Sequence, residues 1–161
     1  MWMKKNELLT FEEIERTVQI VARLGVSKIR LTGGEPLMRK ELSLLVEKIA
    51  RIAGVHDIAL TTNGYFLTEQ AVDLYDAGLK RITVSMDSLD ASKFAEVTRR
   101  DYFDKVWTGL DLLQTLNIGP IKINVVLMRG VNEDEIEKFA GLARTRPFII
   151  RFIEYMPIGA G

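Results

Sequence analysis

Apolar and polar positions along the chain alternate between two periods. In "TFEEIERTVQIVARLG" the apolar residues Phe11, Ile14, Val18, Val21 and Ala22 recur every three or four residues, which marks one face of a helix. Thr10 followed by Glu13 predicts a capped start, and Gly25 predicts the stop. "KIRLT" then has the period of a strand. The same alternation continues with helical "ELSLLVEKIARIAG", strand "DIALTTNG", helical "TEQAVDLYDAG" and strand "RITVSMDS". Two helical segments follow, "ASKFAEVTR" and "FDKVWTGLDLLQTLN", then strand "IKINVVLM", helix "NEDEIEKFAGLAR" with Asn132 as its expected N-cap, and strand "FIIRFIEYM". Strands separated by helices imply parallel pairing through crossovers, so the fold class is α/β. With no linker or low-complexity stretch, residues 1–161 read as a single domain.

The strands are the informative part. A parallel sheet covered by helices on both faces reads as a nearly continuous apolar run. Here Ile29 and Leu31 alternate with Arg30 and Thr32. Ile58, Leu60 and Thr62 alternate with Ala59, Thr61 and Asn63; Ile82, Val84 and Met86 with Thr83, Ser85 and Asp87; Ile121, Ile123 and Val125 with Lys122 and Asn124. Period-two geometry puts each set on its own face. One face packs on helices and the other carries polar groups. The pattern fits a partial (β/α) TIM-like barrel whose interior takes a polar ligand at the C-terminal strand ends; the alternative is a half-exposed sheet with a solvated face. In the last strand, either Arg151 and Tyr155 or Glu154 and Met156 face inward. Arg30 and Lys122 among hydroxyls and amides suit a phosphate or carboxylate ligand, the alternative being a buried ion pair with Asp87 or Glu154.

Composition narrows the classes. The chain is 47% hydrophobic and 27% charged, with 22 basic and 22 acidic residues, so it lacks the basic excess that nucleic-acid binders usually show. No apolar run reaches the length of a membrane span, and "MWMKKNELL" lacks the apolar core of a secretion signal, which predicts a cytoplasmic protein. There is no cysteine, so the chain itself makes neither disulfides nor thiolate metal sites. The lone His56, in "GVHD", reads as a solvated loop residue. Met38, Met86 and Met128 read as packing, Trp2 and Trp107 as covers for apolar surface, and "TRRD" as a phosphate contact or a solvated helix end.

"TGGEP" at the end of the first strand is the one motif with chemical character. Glycine there allows close approach of a ligand to the backbone, Glu35 adds an acceptor for an ammonium group, and Pro36 fixes the exit from the strand. "GGEP" resembles the S-adenosylmethionine-binding motif of radical SAM enzymes. Together with "KIRLTGGEPLMRKEL", "LTTNGYFL", "YDAGLKRITVSMDSLD", "KINVVLMRGVNEDEI" and "IRFIEYMPIG", the chain from about Glu7 to Gly161 resembles the GTP 3′,8-cyclases of molybdenum cofactor biosynthesis.

The resemblance implies a chemistry. In that family a reduced [4Fe–4S] cluster cleaves S-adenosylmethionine to a 5′-deoxyadenosyl radical, which abstracts the 3′ hydrogen of GTP on the way to 3′,8-cyclo-7,8-dihydro-GTP. By motif match, Gly33, Gly34, Glu35, Ser85 and Met156 would contact S-adenosylmethionine, Met156 through its backbone. Arg30, Thr61 and Lys122 would contact GTP, with Asn63 and Asn124 as further candidates. Arg30, Thr61, Ser85 and Lys122 had already been placed on the polar face by alternation alone. The resemblance also implies two cysteine-held clusters, whose ligands are missing from this sequence. The expectation is therefore a radical SAM core without its first strand, inactive on its own, with an unpaired edge at "KIRLT" that promotes self-association. The competing expectations are another radical SAM branch and a non-catalytic nucleotide- or S-adenosylmethionine-binding protein.

Overall fold

The computed structural model describes residues 8–156. Trp2 and the closing "PIGAG" lie outside the described residues. The elements follow the predicted order: α1 (Phe11–Arg23), β1 (Lys28–Leu31), α2 (Leu42–Ala50), β2 (Asp57–Thr62), α3 (Leu67–Asp76), β3 (Arg81–Ser85), α4 (Ala91–Thr98), α5 (Phe103–Thr115), β4 (Ile121–Leu127), α6 (Ile136–Thr145) and β5 (Phe148–Glu154). Single 3₁₀ turns at Pro36–Met38 and Glu133–Glu135 precede α2 and α6.

All five strands are parallel and lie in the order β1-β2-β3-β4-β5, so each crossover moves the chain one place along the sheet. That is the winding of a parallel barrel, here a partial one with β1 and β5 as the edges among the described residues. Register aligns Ile29, Ile58, Leu60, Ile82, Val84, Ile121, Ile123, Val125, Phe148 and Ile150 on the helix side. Leu60, Val84, Ile123 and Val125 are fully buried there against Leu45, Ile49, Leu74, Leu110 and Phe139. Burying these side chains in a continuous apolar layer is the main driving force for the fold.

Local signals explain the helix ends. Thr10 and Glu13 form the expected reciprocal cap: Thr10 N–H donates to Glu13 Oε2 at 2.7 Å and Glu13 N–H to Thr10 Oγ1 at 3.2 Å. Gly25, at φ +94°, leaves α1 through a left-handed turn that glycine adopts without strain. α3 and α5 approach so closely at Gly109 that a Cβ there would stand 2.6 Å from Leu67 Cβ. Trp107 is half-buried beside Phe103, with Arg146 over its ring, as expected of a surface cover.

Two expectations are corrected. Asn132 does not cap α6: a 3₁₀ turn intervenes, and the Asn132 side chain is wholly buried in a different task, described below. Met38 is 68% exposed rather than packed, because the turn at Pro36–Met38 buries Leu37 and turns its neighbour outward. Met86, by contrast, is fully buried.

Candidate functional site

The register settles which residues share the polar face. Arg30 lies level with Ala59 and Arg81; Thr61 with Thr83, Lys122 and Ile149; Ser85 with Asn124 and Arg151. Of the two alternatives for β5, the face with Arg151 is therefore the inward one. Phe152 lies on the opposite side, against Phe139 of α6 at 6.1 Å between ring centroids.

Charge on this face is divided by height. At the N-terminal strand ends, Arg81 on β3 is paired with Asp57 on β2, its Nε donating to Oδ1 at 2.9 Å. That cation is spent on closing the floor. From the same level, the Arg30 side chain reaches up and across the sheet, its Nη1 donating to Thr61 Oγ1 at 2.9 Å and Thr83 Oγ1 at 3.3 Å. Among the described residues Arg30 bonds only hydroxyls, and Lys122 and Arg151 have no ion-pair or hydrogen-bond partner. The buried ion pair considered for Arg30 and Lys122 is not formed. Three cations left without carboxylates on one polar face have the chemistry to pair with an anion. Thr83, 2% exposed, anchors the Arg30 guanidinium beside Lys122; alternation placed it on this face without giving it a role.

The "TGGEP" segment caps the first strand. Gly33 takes φ +153°, and a side chain added there would meet no atom within 4 Å, so the backbone is open to an approaching group. Glu35 is engaged internally: Oε1 accepts from Leu37 N–H at 3.0 Å and Thr62 Oγ1 at 2.7 Å, and Oε2 from Asn63 N–H at 2.7 Å. Its carboxylate joins the end of β1 to the end of β2. Asn63 Oδ1 in turn accepts from Tyr65 N–H at 2.9 Å, forming a turn that fixes the backbone after β2.

Above β3, Asp87 Oδ1 accepts from Val126 N–H at 2.8 Å. Burial pushes the Asp87 carboxyl above the usual carboxylate range, opposed by that backbone bond. Tyr102, in the connection between α4 and α5, packs edge-on to Tyr65 at 5.3 Å and to Phe94 at 4.9 Å. Burial raises its phenol pKa and the Arg100 guanidinium lowers it, while the Glu35 and Asp87 carboxylates raise it further. Tyr102 was not found by reading the sequence; no period marks a loop residue that packs on two other aromatic rings. Arg99 and Arg100 are exposed, and Arg99 ends α4 in a left-handed conformation. Ser85 is exposed at the end of β3, and Met156 stands two residues past β5, 63% exposed.

One atom on this face is out of place in a finished interior. Asn124 Oδ1 is buried and has no hydrogen-bond partner. An orphaned acceptor beside Ser85 and Arg151 fits a ligand that brings a hydroxyl or ammonium donor. By the same test, an iron–sulfur cluster does not fit. The sequence holds no cysteine, and among the described residues no group of three or more His, Cys, Asp or Glu is placed to hold a metal ion.

The model of the radical SAM superfamily matches residues 1–143. The chain belongs to the radical SAM superfamily. Its relatives include the GTP 3′,8-cyclase of Thermodesulfovibrio yellowstonii, 51% identical over 154 residues that make up 96% of this chain and 48% of that protein. The GTP 3′,8-cyclase of Acidothermus cellulolyticus is 48% identical over 159 residues, 98% of this chain and 44% of that protein. The chain thus spans about half the length of the curated relatives it matches. Among solved structures, anSMEcpe with bound AdoMet superimposes with a TM-score of 0.74 at 18% identity, over 92% of this chain and 43% of that one. Methylornithine synthase (PylB) gives 0.69 at 18% identity, over 92% and 45%. These two likenesses establish the shared parallel α/β barrel fold, of which this chain forms a part. Superfamily members use S-adenosylmethionine and a [4Fe–4S] cluster; the residues here suit the first and not the second.

Proposed function

We propose that this chain forms the S-adenosylmethionine- and GTP-binding wall of a GTP 3′,8-cyclase of molybdenum cofactor biosynthesis. The observation that carries this reading is the set of free cations, Arg30, Lys122 and Arg151, on a face whose floor cation is neutralised. The roughly half-identical relatives that bear this activity supply the substrate. Arg30 and Lys122 neutralise the triphosphate, and Thr61 and Thr83 fix the Arg30 fork for it. Gly33 and Gly34 present backbone to the methionine end of S-adenosylmethionine, Glu35 holds that backbone in shape, and Ser85, Asn124 and the Met156 backbone offer polar contacts to the remainder. Asn63 fixes the loop between the two ligands.

S-adenosylmethionine supplies radical chemistry when reduced by a cluster. The protein's task is to hold it in line with the substrate and exclude water. Because the chain has no cysteine, we expect it to bind both ligands without turning them over. Equilibrium dialysis with each ligand, paired with an anaerobic assay for 5′-deoxyadenosine, tests this. Saturable binding without 5′-deoxyadenosine is expected. Turnover by the chain alone would contradict the predicted inactivity, and absence of binding would contradict the reading of the pocket.

The missing cysteines favour one second reading, a nucleotide- or S-adenosylmethionine-binding protein with no catalytic role. The two readings separate on reconstitution. Adding polypeptide that carries cluster-ligating cysteines restores 5′-deoxyadenosine formation under the first and does not under the second.

A further inference from the structure

The loops after β3 and β4 are joined by buried polar side chains that the ligand contacts do not use. Glu135 is 0% exposed, which is rare for a carboxylate. It accepts from Ser88 Oγ at 2.9 and 3.2 Å and from Leu89 N–H at 2.6 Å, with Lys93 Nζ at 3.4 Å. Ser88 is also fully buried, and its Oγ accepts from Asp90 N–H at 3.0 Å. Asn132, equally buried, donates through Nδ2 to Asp87 O at 2.7 Å and Val126 O at 2.9 Å, and its Oδ1 accepts from Met128 N–H at 2.8 Å. Every one of these bonds joins or shapes the two loops where the β3–β4 ladder ends. Ser85 is the last ladder residue of β3, opposite Asn124, and Asp87 lies two residues on.

Placing a carboxylate in the interior is costly unless its oxygens are saturated with donors. Glu135 meets that condition with a backbone N–H, a hydroxyl and an ammonium. A helix start needs no such arrangement; exposed Glu133 and Asp134 already complement the helix end. The cost is offset by a rigid join between two loops. We propose that Glu135 is a positioning residue: through Ser88 and Leu89 it fixes the C-terminal ends of β3 and β4, and with them the Ser85–Asn124 row that meets S-adenosylmethionine. The claim about the ligand rests on the function proposed above; the claim about the strand ends does not.

The test compares the parent chain with Glu135→Ala, Glu135→Gln and Ser88→Ala. It measures amide hydrogen exchange over residues 82–90 and 122–132, with residues 57–64 as the internal control, and the affinities for S-adenosylmethionine and GTP. Loss of the charged hydrogen bonds in Glu135→Ala is expected to speed exchange in the two loops about tenfold and weaken S-adenosylmethionine about tenfold. GTP affinity and the control segment should stay within about twofold, since Arg30 and Thr61 lie on β1 and β2 and Lys122 is at the start of β4, away from the loop that Glu135 holds. Glu135→Gln, which keeps the acceptor for Leu89 N–H, should restore most of both. Ser88→Ala, which removes the hydroxyl's bonds to Glu135 and Asp90 but leaves Leu89 N–H and Lys93 on the carboxylate, should show the same pattern more weakly and serves if Glu135→Ala fails to fold. Unchanged exchange in the loops overturns the proposal. So does a parallel loss of both affinities, which marks general destabilisation. If the parent binds no S-adenosylmethionine, the pocket reading falls, and the exchange measurement alone decides whether Glu135 holds the strand ends.

Discussion

Glu35 shows how much a residue in a binding motif can owe to the fold. Its two oxygens satisfy Leu37 N–H, Asn63 N–H and the Thr62 hydroxyl, so Glu35→Ala strands two backbone donors at once. A loss of about 2–3 kcal/mol is expected from urea unfolding, against about 1 kcal/mol or less for Glu35→Gln, which keeps one acceptor. Equal, negligible losses would show that water replaces the carboxylate freely. Asp87 gives a pH signature. Its folded carboxyl is raised above the ordinary value of 3.8 by burial. The native state therefore holds the proton more tightly than the unfolded state. The stabilisation this confers is present below the unfolded value and lost as pH rises through the folded one. Asp87→Asn, which still accepts from Val126 N–H, should gain stability over the parent between pH 4 and pH 7. A difference between the two urea midpoints that does not change across that range would contradict the assignment. The alternation of single letters showed Arg30, Thr61, Ser85, Lys122 and Asn124 to share a face. It did not show Glu35 turned onto its own backbone or Glu135 buried, because a charged residue in a loop looks the same in sequence whether solvent or a ring of donors surrounds it.

At the scale of elements, sequence and structure agree where a period of two or 3.6 runs long enough to be read. All five strands and the main helices were legible, since apolar side chains must return to one side of each element. The disagreements lie at the ends. α2 stops at Ala50 although its apolar pattern runs on to Ile52, and α6 starts after a 3₁₀ turn because Asn132 is drawn into the loop lock. The contact between α3 and α5 was invisible, because a glycine inside a helix carries no sign of what packs on it. Gly109→Ala puts a Cβ 2.6 Å from Leu67 Cβ, and both helices must shift. Overpacking of this kind costs about 1–3 kcal/mol, to be read from the urea midpoint. A stabilised Gly109→Ala would mean that helix propensity outweighs the contact.

At the scale of the molecule, two features matter: sheet edges that are open among the described residues, and the unpaired cations of the polar face. β1 is hydrogen-bonded only to β2 among the described residues, and β5 carries Ile149 and Phe152, each more than 40% exposed. Unpaired edges with apolar side chains template pairing between chains, so sedimentation velocity should show species heavier than 18.3 kDa at micromolar concentration. A strictly monomeric species with a sharp, reversible melt would contradict that. The interior is the central claim, and GTP titration by calorimetry tests it most directly, run on the parent chain and on Lys122→Ala. Saturable binding is expected, weakened about tenfold or more by removal of this one unpaired cation while the urea midpoint stays unchanged. Binding that is absent in the parent, or that Lys122→Ala leaves untouched, would contradict a GTP site on this face.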